Sequence, residues 1–128
     1  LKGNAAKPLS HVKAVISQEE FADLQRQVNE LYVHEMIYGY ITTLVEKTRE
    51  SQFISLGASP RGSIALLRMA KATAFMNHRD FVSPEDVEEI FLDTLGHRIK
   101  LSTQARAAGM DQAAVLKKIF DSVEAPRT

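Results

Sequence analysis

The residues best suited to chemistry lie in GASPRGS, Gly57 to Ser63. Serine followed by proline is a good helix start. Ser59 can accept a hydrogen bond from a first-turn N–H, and Pro60 presets φ for the first helical position. Arg61 then places a cation where the helix dipole is already positive, at a cost of a few tenths of a kcal/mol up to about 1 kcal/mol. Two readings follow. Arg61 can turn away and pair with a carboxylate, or an anion belongs at this helix end. Free backbone N–H groups and the dipole favour a phosphate there, and arginine adds a bidentate, permanently charged donor. Gly57, Ala58 and Gly62 are small enough to let a ligand or another domain approach. Ser59, Pro60, Arg61 and Gly62 are therefore the candidate anion-binding set, half of a site whose other half must come from a partner.

A second helix start sharpens the contrast. Ser83-Pro84-Glu85-Asp86 begins in the same way but continues with two acids, which the dipole favours. The chain can thus begin a helix in the electrostatically favoured manner, and at Arg61 it does not.

Other chemistry is absent. There is no G-x-x-x-x-G-K-[ST] phosphate loop, no H-E-x-x-H and no G-x-S-x-G elbow. The lack of cysteine excludes a thiol nucleophile, a disulfide framework and a cysteine zinc site, and it fits a cytoplasmic protein. His11, His34, His78 and His97 are scattered, so no metal site is expected. Taken alone the chain reads as non-catalytic. Sixteen basic residues balance sixteen acidic ones, without the basic excess of a nucleic-acid binder. No apolar run suffices for membrane insertion.

The elements that must position Arg61 are helical. The 128 residues make one domain, with 45% hydrophobic and 25% charged residues as in a globular protein. Ser17-Gln18-Glu19-Glu20 is a capping box ahead of Phe21, Leu24, Val28 and Leu31, predicting a helix over 18–30. Met36, Ile37, Tyr40, Ile41, Leu44 and Val45 make a broad apolar stripe over 34–50. After Ser59, Ile64, Leu67, Ala70 or Lys71, Ala74 and Phe75 recur at helical spacing, ending near Asn77-His78. Val87, Ile90, Phe91 and Leu95 form the buried face of the next helix, with Gly96 as its stop. Residues 97–101 alternate as an extended segment, 104–109 read as a loop, and Asp111 caps a last helix carrying Val115, Leu116, Ile119, Phe120 and Val123. The expected fold is all-α, a bundle of about five helices with little or no sheet. Residues 1–11 read as a flexible segment or linker before a domain over 12–128. The opening on Leu rather than Met suggests a piece of a longer protein.

These stretches, in order, carry a family resemblance: VISQEEFADLQ (15–25), YITTLVEKTRE (40–50), LGASPRGSIALLRMAKATAF (56–75), RDFVSPEDV (79–87) and HRIKLS (97–102). The chain resembles the C-terminal lid domain of a MoxR-type AAA+ ATPase. The resemblance implies that Arg61 is the sensor 2 arginine, reaching toward the γ-phosphate of ATP and coupling nucleotide state to lid movement. It leaves open whether the nucleotide belongs to the same subunit or a neighbour. It further implies an AAA+ core domain in the same chain that holds most of the ATP and Mg, a homo-oligomeric ring such as a hexamer, chaperone-like action, and partners with von Willebrand A-type domains. The alternative is a helical interaction module without a nucleotide role, because SPEDVEEIF (83–91) loosely resembles a histone-like helix.

Several other positions receive plainer expectations. Arg49 closes Thr48-Arg49, a pair that the family resemblance shares, and reads as a cation at a helix C-terminus, with a role at a subunit or core interface as the alternative. His97-Arg98 reads as structural or interfacial. Phe81 is expected to staple the two helices it joins, and Asp80 to cap or pair locally.

Overall fold

The computed structural model describes residues 9–127, so most of the proposed 1–11 linker lies outside the described residues. Six α-helices appear among them: α1 (Gln18–Asn29), α2 (Glu35–Glu50), α3 (Pro60–Met76), α4 (Pro84–Leu95), α5 (Thr103–Ala107) and α6 (Gln112–Ser122). A 3₁₀ turn, Gly96–Arg98, follows α4. Two short strands, β1 (Ile54–Leu56) and β2 (Lys100–Leu101), pair antiparallel with Ile54 opposite Leu101.

Local chemistry sets most boundaries. Ser17 and Glu20 close the expected capping box at 3.0 Å in both directions. His34 caps α2, its Nδ1 accepting from Met36 N at 3.0 Å. Asp111 caps α6 through Ala114 N at 2.8 Å. The stretch expected as a loop after Gln104 is instead helical, because Ser102 Oγ accepts from Ala105 N and starts α5. Gly109, at φ +73°, ends it with a conformation that glycine tolerates best. Gly96 is the C-cap that ends α4 after Leu95, as expected, and with its helical φ and ψ it leads the chain into the 3₁₀ turn.

The core is built from Ile37, Tyr40, Ile41, Leu44 and Val45 of α2, Leu66, Ala70 and Ala74 of α3, Val87, Ile90, Phe91 and Leu95 of α4, and Val115, Leu116 and Ile119 of α6. The buried row of α3 is Gly62, Leu66, Ala70 and Ala74, every fourth residue. Ile64, expected on that face, is exposed. The difference has a packing cause. Three of the four residues in the row are small, which lets α4 approach along the length of α3, and this is the most extensive helix pair. Phe120 closes the core with its ring 5.5 Å from Phe91 and 6.2 Å from Tyr40. The face of α1 bearing Phe21 and Leu24 lies along α3 beside Phe75 and Met76, and nothing in α1 is buried.

Two connections lace together. Tyr32 N donates to Asp80 O and Val82 N donates to Tyr32 O, a parallel bridge between the α1–α2 and α3–α4 links. Asp80 thus contributes its backbone carbonyl, and Phe81 stays half exposed beside that bridge. The ion pair of this turn belongs to the neighbouring Arg79, which reaches Asp86.

Tyr40 provides a pH signature of the packing. Burial, with Glu88 and Glu85 adding repulsion, pushes its phenol from 10.0 up to about 12. The native state then keeps a proton that the unfolded chain releases. This contribution is complete below about pH 10 and is lost as pH rises toward about 12. In urea titrations across that window, wild type is expected to lose more stability than Tyr40→Phe. Parallel slopes would refute the assignment to Tyr40.

Candidate functional site

The start of α3 is held by the end of α2. Thr48, fully buried, donates its hydroxyl to Val45 O at 2.6 Å and accepts from Ala58 N at 3.0 Å. Arg49 Nε donates to Ala58 O at 3.0 Å. Both backbone polar groups of buried Ala58 are therefore fixed by adjacent side chains of one helix. The loop lies so close to α2 that a Cβ on Gly57 would sit 2.7 Å from the Cα and N of Arg49. Gly57 is required by this contact within the chain, which corrects the reading that it leaves room for a ligand.

Ser59 has the extended backbone of an N-cap, but its side chain makes no capping hydrogen bond. Pro60 occupies the first helical turn. Gly62 is buried, and its N–H donates to Ser59 O at 2.8 Å. A Cβ there would lie 3.1 Å from Ala58 Cβ, 3.4 Å from Leu95 Cδ2 and 3.9 Å from Arg98 Cδ. Gly62 thus admits its own neighbours. Arg61 is exposed and makes no ion pair or hydrogen bond, so the carboxylate partner that composition allowed is not there.

The structure therefore brings Ser59, Pro60 and Arg61 together at the exposed positive end of a 17-residue helix. It presents a guanidinium with all its donors free, and a serine hydroxyl not committed to the cap. These residues suit an oxyanion such as a terminal phosphate. They do not suit Mg²⁺, because the first turn holds no acid. Among the described residues no three His, Asp or Glu side chains gather into a metal site. No helix of the described residues is long and apolar enough to cross a membrane. Sequence reasoning missed the clamp: Arg49 is more than a C-terminal cation, and Thr48 stood out only as its neighbour in the pair shared with the family. Only the proximity of Gly57, eight residues after Arg49, gives their pairing meaning.

Comparison with known proteins shows the class: the chain belongs to the AAA lid domain family, which matches residues 46–119 and so spans the clamp, Arg61 and α4. More particularly, the relatives it is similar to include proteins named MoxR. It is 39% identical over 93% of its length to the uncharacterized protein YeaC of Bacillus subtilis, covering 37% of that protein. It is 28% identical over 90% of its length to the chaperone MoxR1 of Mycobacterium tuberculosis, covering 33% of it. A crystal structure of a protein classed provisionally as an ATPase, from Cytophaga hutchinsonii, superposes with a TM-score of 0.83 at 34% identity. The match takes in 91% of this chain and 38% of that one. The chain thus spans about a third of the length of the curated relatives it matches along most of its own length.

Proposed function

We propose that this chain is the nucleotide-sensing lid of a MoxR-type AAA+ ATPase and that Arg61 is its sensor 2 arginine. One observation carries the reading: Arg61 stands unpaired at the positive end of α3, on a loop locked to α2 by Thr48 and Arg49. A cation that lowers helix stability and has no partner in its own domain gains one when a phosphate is presented to it. Ser59 and the first-turn backbone complete the polar surface around that phosphate, Pro60 holds the turn, and Gly62 seats it on α4. ATP supplies the terminal phosphate, and with Mg²⁺ is held mainly by an AAA+ core domain of the same parent chain.

The lid acts mechanically. Because the clamp and the α3–α4 packing make the Arg61 turn rigid with the rest of the domain, attraction between guanidinium and phosphate moves residues 12–128 as a unit. Loss of the phosphate on hydrolysis releases them. In the parent protein this couples ATP turnover to rearrangement of a homo-oligomeric ring, a hexamer in our reading, located in the cytoplasm. Its action is chaperone-like, with von Willebrand A-type proteins as partners. The histone-like interaction reading gains no observation in its favour.

The test is Arg61→Ala in the full-length parent. Removing one charged donor from a transition state costs on the order of 10²-fold in turnover. We expect a loss of that order in ATP hydrolysis, while the melting temperature holds because Arg61 is exposed and unpaired. Wild-type turnover in this variant would remove the sensor assignment.

A further inference from the structure

Two buried side-chain polar atoms among the described residues lack any hydrogen-bond partner: Thr94 Oγ1 and Arg98 Nε. Both residues line one cleft of about 350 Å³, between Ala65, Arg68 and Met69 of α3 and the end of α4 with its 3₁₀ turn. Thr94 is only 6% exposed. A buried hydroxyl and a buried guanidinium N–H left unpaired each carry the full desolvation penalty, and both belong to residues that line the same cleft. Both can donate, so the group that would satisfy them is an oxygen acceptor.

The charges narrow it further. Arg68 and Arg98 are cationic, Asp93 on the same wall is anionic, and His97 completes the rim. None of the four forms an ion pair. Two arginines against one aspartate leave these three residues one net positive charge, which matches a single carboxylate better than a doubly charged phosphate. Ala65 and Met69 of α3 add apolar lining, against which a methylene stem can pack. About two thirds of the length of the curated relatives lies outside the match to this chain.

We propose that the cleft receives an acidic side chain, a glutamate or aspartate, from the part of the parent ATPase outside these residues. The carboxylate lies side-on to Arg98, taking Nε–H from it and a hydroxyl hydrogen bond from Thr94, with Arg68 as the flanking charge. Arg98 Cδ lies near the place a Gly62 Cβ would occupy, so this contact anchors the lid next to the Arg61 turn through separate donors. The proposal rests on the lid assignment and not on the sensor role of Arg61.

The test titrates the 128-residue chain with N-acetylglutamate N-methylamide and, separately, with inorganic phosphate, following by NMR the backbone amide resonances of the residues that line the cleft, which every variant retains, and the Arg98 Nε–H resonance where arginine is present. The glutamate analogue is expected to saturate with a dissociation constant of roughly millimolar order. Binding should weaken at least about tenfold in Thr94→Val and in Arg98→Lys, which keeps the charge but loses Nε–H. It should persist in Thr94→Ser and in Arg61→Gln. Helical circular dichroism checks that each variant is folded, and the Thr94→Ser and Thr94→Val pair isolates the hydroxyl. A shift that does not saturate overturns the proposal. So does phosphate binding more tightly than the analogue, which would assign the cleft to a nucleotide phosphate. An equal loss in Arg61→Gln would also overturn it, by merging the cleft with the Arg61 site.

Discussion

Arg79→Leu is expected to destabilise the domain by about 3–4 kcal/mol, the range for removing one partner of a buried ion pair. The acid it serves, Asp86, is fully buried. Arg79 Nη1 donates to Asp86 Oδ2 at 2.6 Å and Nη2 to Oδ1, a two-pronged contact. Ser83 N and Ser83 Oγ also donate to Oδ2, at 2.8 and 3.1 Å. The hydrogen bond to Asp86, more than any other cause, holds the Arg79 guanidinium above its ordinary value, against the opposing effect of burial. Leucine would leave a buried carboxylate with two neutral donors and no countercharge. Arg79→Lys keeps a charge but loses the fork, and should fall between the two. Asp86→Ala should cost less than Arg79→Leu, since Arg79 is 29% exposed and can turn to water. Urea midpoints at unchanged slope would measure all three. A loss below about 1 kcal/mol for Arg79→Leu would show that the pair does not hold the α3–α4 turn.

Gly57→Ala is expected to cost about 2–3 kcal/mol, at the upper end of overpacking, and to lower ATP turnover in the parent protein. The added methyl would lie 2.7 Å from backbone atoms of Arg49, which cannot swing aside as the end of a side chain can. Either the loop lifts off α2, breaking the bonds from Thr48 and Arg49 to Ala58, or the last turn of α2 moves. Both displace the turn that presents Arg61. Gly39→Ala is the control, because nothing lies within 4 Å of its added methyl and helical alanine is preferred over glycine by roughly 0.5–1 kcal/mol. Thermal melts of both variants, with turnover of the parent carrying each, separate the outcomes. A Gly57→Ala protein with wild-type melting and turnover would show that the clamp does not set the position of Arg61.

The elements with strong local signals were legible as sequence. Ser17 and Glu20, Ser83 and Asp86, and Asp111 announced helices through groups that bond within three residues, whereas at Ser59 the start holds through Pro60, since the serine makes no capping hydrogen bond. The stripe of α2 was legible because its large residues face one way. The stripe of α3 was not, since Gly62, Ala70 and Ala74 bury little surface and a hydrophobic pattern weights Ile64 above them. The extended stretch that holds β2 was legible as the alternation over 97–101, whereas β1 was missed, because three residues are too short for an alternation to register and its partners lie 44 and 47 residues away. The helix α5 was missed because five residues carry no period.

The same division runs through the site. From sequence alone, Arg61 stands out as a cation at the wrong end of a helix, because dipole and N-cap chemistry act within one turn. Sequence alone also determined the family, through motifs kept in order over most of the chain. Only the tertiary structure decided that Arg61 has no partner among the described residues, that Thr48 and Arg49 hold its loop, and that Thr94 and Arg98, each with an unpaired buried donor, line one cleft. The physical reason is range: caps and periodicities are written within a few residues, whereas desolvation and hydrogen bonding depend on which distant residues the packing brings within 3 Å.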